Sequence, residues 1–169
     1  MNETDLARVT ELLGRVPRGA CEVVARTIAG SPVVIRNAAH LDDGTPMPTL
    51  YWLVGSDERE AVSRLEASGG VKEAELATDP LQLAAAHDLY ARERDRSARS
   101  GGPALAPPGP VHEPSGGVGG TRQGVKCLHA HLAWWLVGGD DPVGEWTARR
   151  LGVQREDYEV EHSPGSSVG

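Results

Sequence analysis

Two short β-branched segments joined by a tight turn constrain the fold of this chain more than any other feature. Residues 21–28 and 33–35 have the composition of strands, and Ala29-Gly30-Ser31-Pro32 between them is a turn signal. After a second turn at residues 42–46, residues 49–54 (Thr-Leu-Tyr-Trp-Leu-Val) predict a third strand. Because these connections are short, the sequence predicts a small three-stranded sheet that is mostly antiparallel.

Stretches with helical periodicity flank these strands. Asp57 and Glu60 form a capping pair at the start of one predicted helix. Asp141 followed by Pro142 marks the start of a second predicted helix. About five helices are predicted, and they cover residues 6–16, 57–68, 80–98, 125–137 and 142–151. The predicted fold class is therefore α+β, with about five helices packed on the small sheet.

Glycine and proline cluster between residues 100 and 120, and this composition argues against regular secondary structure there. We expect residues 99–116 to form a flexible, disordered insertion. The glycines that follow are expected to form a tight loop before the next helix. The expected organisation is one domain over residues 1–153, followed by a disordered tail over residues 154–169.

Charge and composition exclude several classes of protein. The formal net charge of −7 argues against general nucleic-acid binding, which needs a basic surface. No stretch approaches the roughly 18 apolar residues of a membrane span, and the acidic N-terminus does not resemble a secretion signal. Two cysteines far apart in the sequence, Cys21 and Cys127, predict reduced thiols. Together these features predict a soluble cytoplasmic protein without a membrane span.

Reactive side chains concentrate in one patch, Lys126-Cys127-Leu128-His129-Ala130-His131. If the segment is helical, Cys127 and His131 lie four residues apart and share one flank, whereas His129 points to the opposite flank. If the segment were a strand, His129 and His131 would share a face instead. The absence of helix breakers between residues 125 and 137 favours the helix.

A thiolate and an imidazole at this spacing indicate a partial zinc or iron site, with Cys127 and His131 as the metal ligands. His87 is the expected third ligand, and Cys21 or His129 are further candidates, because the chain has no Cys-x-x-Cys pair. The alternative is that Cys127 is a buried apolar side chain and His131 a hydrogen-bonded packing residue. Zinc is the cofactor that this interpretation favours, and the alternative requires none.

An anion site is a second interpretation of the same region. Arg122 and Lys126 flank a glycine-rich loop that enters a helix, where backbone N–H groups favour negative charge. On the preceding helix, His87, Tyr90 and Arg94 share one face and would complete a surface for a small, phosphate-bearing ligand. The alternative is a solvated linker with ordinary surface cations.

Hydrolytic catalysis is a third interpretation. Cys127 would be the nucleophile or a metal ligand, and His131 or His87 would be the general base. Lys126 and the helix N-terminus would both activate the thiol. An inert buried thiol is the alternative, and the chain contains no Gly-x-Ser-x-Gly motif.

The string Lys-Cys-Leu-His-Ala-His-Leu-Ala at residues 126–133 is specific, and weaker motifs accompany it in order at residues 43–53, 62–69, 86–90, 119–125 and 142–144. Together they resemble a bacterial domain-of-unknown-function family, number five-hundred-and-one, over about residues 15–144. The resemblance implies no established activity. Members are often encoded near a septum-formation initiator and an exopolyphosphatase, mainly in high-GC Gram-positive bacteria, which implies a setting in cell division or phosphate metabolism.

The resemblance also implies cysteines where this chain has Thr27 and Gly55. A zinc set of those two cysteines with Cys127 and a histidine would be incomplete here, or would use Cys21 instead. Three functions therefore stay open. The first is a module that binds a small anion or phosphate-bearing ligand, the second is a metal-assisted or Cys/His-dependent hydrolase, and the third is an adaptor for a division-protein partner without chemistry of its own.

Overall fold

A four-stranded antiparallel sheet lies at the centre of the structure, a computed structural model that describes residues 1–100 and 114–161. The strands lie in the order β3-β2-β1-β4 and cover Cys21–Thr27 (β1), Pro32–Asn37 (β2), Tyr51–Leu53 (β3) and Tyr158–Val160 (β4). Six α-helices in the described residues complete the α+β fold that the sequence predicts. They are Glu3–Leu13 (α1), Ser56–Ala67 (α2), Gly70–Ala77 (α3), Pro80–Ser100 (α4), Leu128–Leu136 (α5) and Pro142–Leu151 (α6).

The three strands predicted from the sequence are confirmed. β1 and β2 form an antiparallel hairpin in which Val23 lies opposite Ile35, and β3 pairs with β2 so that Trp52 also lies opposite Ile35. Gly30 closes the hairpin turn with a φ of 86°, a backbone conformation that glycine adopts without steric cost.

The fourth strand lies in a segment that the sequence predicts to be a disordered tail. Tyr158–Val160 pairs antiparallel with β1, and the Tyr158 hydroxyl donates a hydrogen bond to Glu58 Oε1 at 3.0 Å. A strand of three residues in a polar segment carries too little alternation to be recognised. The expectation of disorder is therefore wrong for residues 154–161, and residues 162–169 lie outside the described residues.

Helix boundaries differ from the prediction in several places, among them α1, which covers Glu3–Leu13 and not residues 6–16. Gly69, which has a φ of 96°, follows the end of α2, and α3 begins at Gly70. The glycine pair therefore marks the start of a further helix as well as the predicted end of α2. α4 continues to Ser100, and Gly116 is held by Arg94, so the predicted insertion over residues 99–116 is ordered at both of its ends. Residues 101–113 lie outside the described residues. No helix in the described ranges combines the length and the apolar character needed to cross a membrane.

Apolar side chains cover both faces of the sheet. On one face Val23 and Ile35 pack with Val9 of α1. The other face carries the larger cluster, in which the strands contact the remaining helices through residues such as Leu128 and Leu132 of α5. Seven of the nine residues of α5 are buried, so this helix lies inside the helical layer and its N-terminus is positioned by several elements at once.

Candidate metal centre

The start of α5 is built by residues from three elements. The Leu128 N–H donates to Glu66 Oε1 of α2 at 2.6 Å, and the Val125 N–H donates to Glu75 Oε2 of α3 at 2.7 Å. Cys127 is the N-cap residue, with extended backbone angles (φ −156°, ψ 116°) and no side-chain cap of its own. Because carboxylates from other helices accept these backbone protons, α5 begins at Leu128, and the predicted start at residue 125 is wrong.

The side chain of Cys127 meets His129 and not His131. Its Sγ lies 3.8 Å from His129 Nδ1, and Glu66 Oε1 lies 3.2 Å from the same nitrogen. The three ligand atoms all lie within 4.8 Å of one another. The expectation that Cys127 and His131 share a flank, with His129 opposite, is therefore wrong, because the helical rotation of about 100° per residue does not apply across an extended residue.

The other ring nitrogen of His129 fixes the orientation of the imidazole. Nε2 lies 3.2 Å from the Arg59 carbonyl oxygen and 3.2 Å from Ser63 Oγ, both on α2. A carbonyl can only accept, so Nε2 carries a proton, and in the neutral ring Nδ1 presents a lone pair to Cys127 and Glu66. The hydrogen bond with Cys127 raises the pKa of His129, against the opposing effect of burial. A proton or a metal ion at Nδ1 therefore relieves the repulsion among three electron-rich atoms.

Two of the distances among these atoms are close to those around a tetrahedral zinc ion. Typical zinc–ligand bond lengths at a tetrahedral angle place sulfur and nitrogen about 3.6 Å apart, and nitrogen and oxygen about 3.3 Å apart. The corresponding distances here are 3.8 Å and 3.2 Å. The side chains of His129 and Glu66 keep 25% and 27% of their exposure, so solvent reaches the cluster. Among the residues that the structure describes, no other three His, Cys, Asp or Glu side chains converge in this way.

His131 has a different partner, Asp141. Nδ1 of His131 lies 2.8 Å from Asp141 Oδ2, and both side chains are fully buried. Asp141 also caps α6, because its Oδ1 accepts the N–H groups of Val143 and Gly144. Nε2 of His131 is buried and has no hydrogen-bond partner within the described part of the chain. His131 thus joins α5 to α6, which removes it from the solvent-accessible patch that the sequence predicts.

His87 is used to hold the glycine-rich loop. Its Nδ1 accepts the Val118 N–H at 3.1 Å, and its Nε2 donates to the Gly124 carbonyl at 3.0 Å. A Cβ on Gly117 would lie 2.5 Å from the His87 ring, so the loop packs directly against it. The ring of His87 is 5.9 Å from that of His131, which brings two predicted residues together, but with both His87 nitrogens occupied. Burial lowers the pKa of His87, which favours the neutral ring.

Tyr90 and Arg94 share the inward face of α4 with His87, as expected, but they contact protein and not solvent. The Tyr90 hydroxyl oxygen accepts the Leu50 N–H at 2.6 Å, and Tyr90 is fully buried. Arg94 is 3% exposed, and its guanidinium donates to the Gly116 carbonyl and to Asp95. The predicted ligand surface is therefore made of internal contacts, in which His87 and Arg94 fasten the glycine-rich loop to α4 and Tyr90 holds the start of β3.

The remaining predicted residues lie on several different parts of the fold. Arg122 and Lys126 are exposed on either side of Gly124, so anion binding by these two cations stays a prediction. Cys21 packs on the α1 face of the sheet, whereas Cys127 packs against the cluster on the other face, so the two thiols do not form one site. Thr27 and Gly55 line one pocket, and Cys127 does not line it.

Comparison with known proteins places the chain in a family. The profile of the family described as "Protein of unknown function (DUF501)" matches residues 23–149, which is more than half of the 169 residues. The chain belongs to the DUF501 family. The resemblance carried by the string at residues 126–133 is thereby confirmed. No curated protein and no solved structure matches this DUF501 member. Its Glu66, Cys127 and His129 all lie inside the matched span, whereas α1 and β4 lie outside it.

Sequence reasoning missed Glu66, Ser63 and Asp141 as partners of the patch in this DUF501 protein. Glu66 and Ser63 lie three residues apart on α2, which puts them on one face, and Arg59 lies one turn earlier. That face carries a hydroxyl and a carboxylate, a pattern equally typical of a solvated surface. Asp141 was recognised only as a helix cap, because nothing local indicates that the same carboxylate also binds His131.

Proposed function

We propose that this protein is a zinc-binding module in which Glu66, Cys127 and His129 hold one metal ion and water or a small anion takes the fourth position. The convergence of Sγ, Nδ1 and Oε1 within 4.8 Å is the observation that carries the proposal. This ligand set replaces the predicted pair of Cys127 and His131, since His131 is fully buried against Asp141.

The chemistry of the donors supports zinc. A thiolate and a carboxylate together neutralise the charge of a divalent ion, and thiolate, imidazole and carboxylate are all zinc ligands. The hydrogen bond that Nε2 of His129 makes to the Arg59 carbonyl at 3.2 Å is the kind that orients a zinc-binding histidine. Leu128 N–H holds Glu66 in a similar way. Two of the three ligands, His129 and Glu66, are therefore oriented before any metal binds.

The open fourth position connects this module to anion binding and to hydrolysis. Zinc held by three protein ligands typically keeps a water molecule whose pKa falls to about 7, which makes it a nucleophile at neutral pH. Lys126 is exposed and precedes Cys127 in the sequence, so a cation lies in the segment that leads to the proposed site. A metal-assisted hydrolase is thus the second candidate, favoured by the count of three ligands.

Metal analysis of the purified full chain tests the proposal. We expect stoichiometric zinc in the native protein, and Co²⁺ in its place should give a near-ultraviolet charge-transfer band from the thiolate. Glu66→Gln is the sharpest variant, because the amide oxygen can still accept the Leu128 N–H while the ligand charge is lost. Cys127→Ser should lose both zinc and the band.

Matched controls separate the metal site from general damage to the fold. Cys21→Ser removes the other thiol, and Glu60→Gln changes an exposed carboxylate on the same helix as Glu66. Both should bind zinc as the native chain does. Stoichiometric zinc in Cys127→Ser would refute the proposed ligands. If the native chain binds neither zinc nor inorganic phosphate, the adaptor with a division-protein partner becomes the leading hypothesis.

A further inference from the structure

A cavity of about 170 Å³ lies on the α1 side of the sheet, apart from the proposed zinc site. It is enclosed by the segment that follows α1 and by the loop between β2 and β3, a loop that includes the motif at residues 43–53. The side chains that matter for its chemistry are Arg15, Arg18, Asn37, His40, Met47 and Trp52. None of the zinc ligands lines it, so the two sites are independent.

Backbone contacts hold the two walls of this cavity together. The Asp42 N–H donates to the Arg18 carbonyl at 3.0 Å, and the Ala38 N–H donates to the Ala20 carbonyl at 2.8 Å. Gly19 lets the walls approach closely, because a Cβ there would lie 3.1 Å from the Leu41 Cα. The cavity is thus a formed feature of the fold.

The charge of the cavity is opposite to that of the chain. Two arginines and a histidine line it, and no lining residue carries a carboxylate, although the chain has a net charge of −7. Arg18 pairs with Asp43 at 3.0 Å, but the two side chains are 63% and 52% exposed. Exposed pairs of this kind contribute little free energy, so the Arg18 guanidinium can turn toward a bound anion.

Trp52 and Met47 contribute an aromatic and an apolar side chain to the lining of the cavity. The Arg15 guanidinium carbon lies 5.7 Å from the centre of the Trp52 ring, and Met47 lines the same cavity. Stacked guanidinium groups keep their N–H edges available for a carboxylate or phosphate. A cavity of roughly 150 Å³ is large enough to hold benzene, so a single planar ring fits here.

We infer that this cavity binds a small planar ring that carries an anionic group. The ring packs against Trp52 and Met47, and the anionic group takes hydrogen bonds from Arg15 and Arg18. The shared chemistry is an anion on one ring, and the acid group can be a phosphate or a carboxylate. This site restores anion binding to the protein at a place remote from the buried surface of His87 and Arg94.

Calorimetric titration of the full chain tests this inference with phenyl phosphate and with benzoate as separate probes. Binding of either probe supports the site, and benzyl alcohol, which has the ring without the charge, should not bind. Trp52 offers a second readout, because its fluorescence should change on binding and the change should vanish in Trp52→Phe. Using the Cys127→Ser variant as the host removes any contribution from a bound metal.

The double variant Arg15→Gln and Arg18→Gln should weaken binding at least about tenfold, since it removes two charge-assisted donors. Arg8→Gln is the matched control, because Arg8 is a surface arginine of α1 that pairs with Glu11 and does not line this cavity. The Arg8→Gln variant should bind both probes with the same affinity as the Cys127→Ser protein that carries it. The inference is overturned if neither anion binds, or if the double variant binds as tightly as the control.

Discussion

His131 and Asp141 form a fully buried imidazole–carboxylate pair, with Nδ1 2.8 Å from Oδ2 and no exposed side-chain surface on either residue. The same carboxylate caps α6, so one residue supports both a tertiary pair and a helix start. Removing one member of a buried pair leaves the other polar group without compensation. This relationship makes His131 part of the framework that presents Cys127 and His129.

Asp141→Ala should therefore lower the free energy of unfolding by about 3–5 kcal/mol, through the lost pair and the lost cap. Asp140→Ala changes the preceding carboxylate, which is exposed, and should cost no more than about 0.5 kcal/mol. Urea unfolding followed by circular dichroism measures both values. Equal effects of the two substitutions would contradict the role given to Asp141.

The ion pair between Arg26 and Asp5 should make the free energy of unfolding fall at acidic pH. Its guanidinium donates to Asp5 of α1 at 2.8 Å, and this hydrogen bond holds the pKa of Asp5 below its usual value of 3.8. A carboxylate with a lowered folded-state pKa stabilises the protein above the unfolded-state pKa, and that contribution disappears as the pH falls through the folded-state value. The pair is mostly buried, with side-chain exposures of 18% and 15%.

Asp5→Asn should cost about 1–3 kcal/mol near neutral pH. The difference from the native chain should shrink once the pH falls below the Asp5 pKa. Denaturation series at several pH values check this, with Glu11→Gln as the control, because Glu11 is 69% exposed and its pair with Arg8 is a surface pair. A difference that is independent of pH would show that charge is not the cause.

The pKa values of His129 and His87 should be shifted in opposite directions in the metal-free protein. The hydrogen bond with Cys127 raises the pKa of His129 above 6.5, whereas burial lowers the pKa of His87 below it. The stabilisation from protonated His129 is therefore present below the unfolded-state pKa and is lost as the pH rises through the folded-state value. Ring proton shifts in an NMR titration measure both groups.

Cys127→Ser should lower the pKa of His129 and leave that of His87 unchanged, since the His87 ring nitrogens bond to Val118 and Gly124. A His129 pKa that does not respond to this substitution would mean that the thiol contact does not form in solution. Zinc added to the native chain should abolish the His129 titration if the metal takes Nδ1.

Gly117→Ala tests how tightly the glycine-rich loop packs on α4. The added methyl group would lie 2.5 Å from the ring atoms of His87, so we expect a loss of about 1–3 kcal/mol. Ser115→Ala changes an exposed residue of the same segment and should have almost no effect. In a His87→Ala background the Gly117→Ala penalty should largely vanish, and a double-mutant cycle measures that coupling. If the effects of Gly117→Ala and His87→Ala are additive, the added methyl group does not clash with the His87 ring.

Local sequence signals predicted the fold class well. The hairpin of β1 and β2, the long helix α4 and the capped helix α6 each carry their own turn, cap or periodicity, and each is confirmed. The inward face of α4 was also predictable, because His87, Tyr90 and Arg94 follow helical spacing. Helical spacing could not show that all three side chains would form hydrogen bonds inside the protein and would not be available to a ligand.

The arrangement of the candidate site depends on tertiary contacts that have no local signature. The N-cap residue of α5, Cys127, makes no side-chain cap hydrogen bond, and Glu66 from α2 accepts the Leu128 N–H instead, so the predicted start lies three residues too early. Because the helix begins later than predicted, Cys127 contacts His129 and not the predicted partner His131. β4 was missed for a related reason, because a three-residue strand is defined by the strand it pairs with and not by its own composition.

β4 has a consequence for how the molecule behaves toward its own copies. It pairs with Ala25–Thr27 and so covers the second half of the outer edge of β1, which would otherwise present unpaired N–H and C=O groups. Open strand edges are templates for intermolecular pairing. A chain shortened to end before Tyr158 would keep Glu66, Cys127 and His129, yet it would tend to self-associate through β1, so β4 protects the molecule from aggregation and has no part in the proposed metal site.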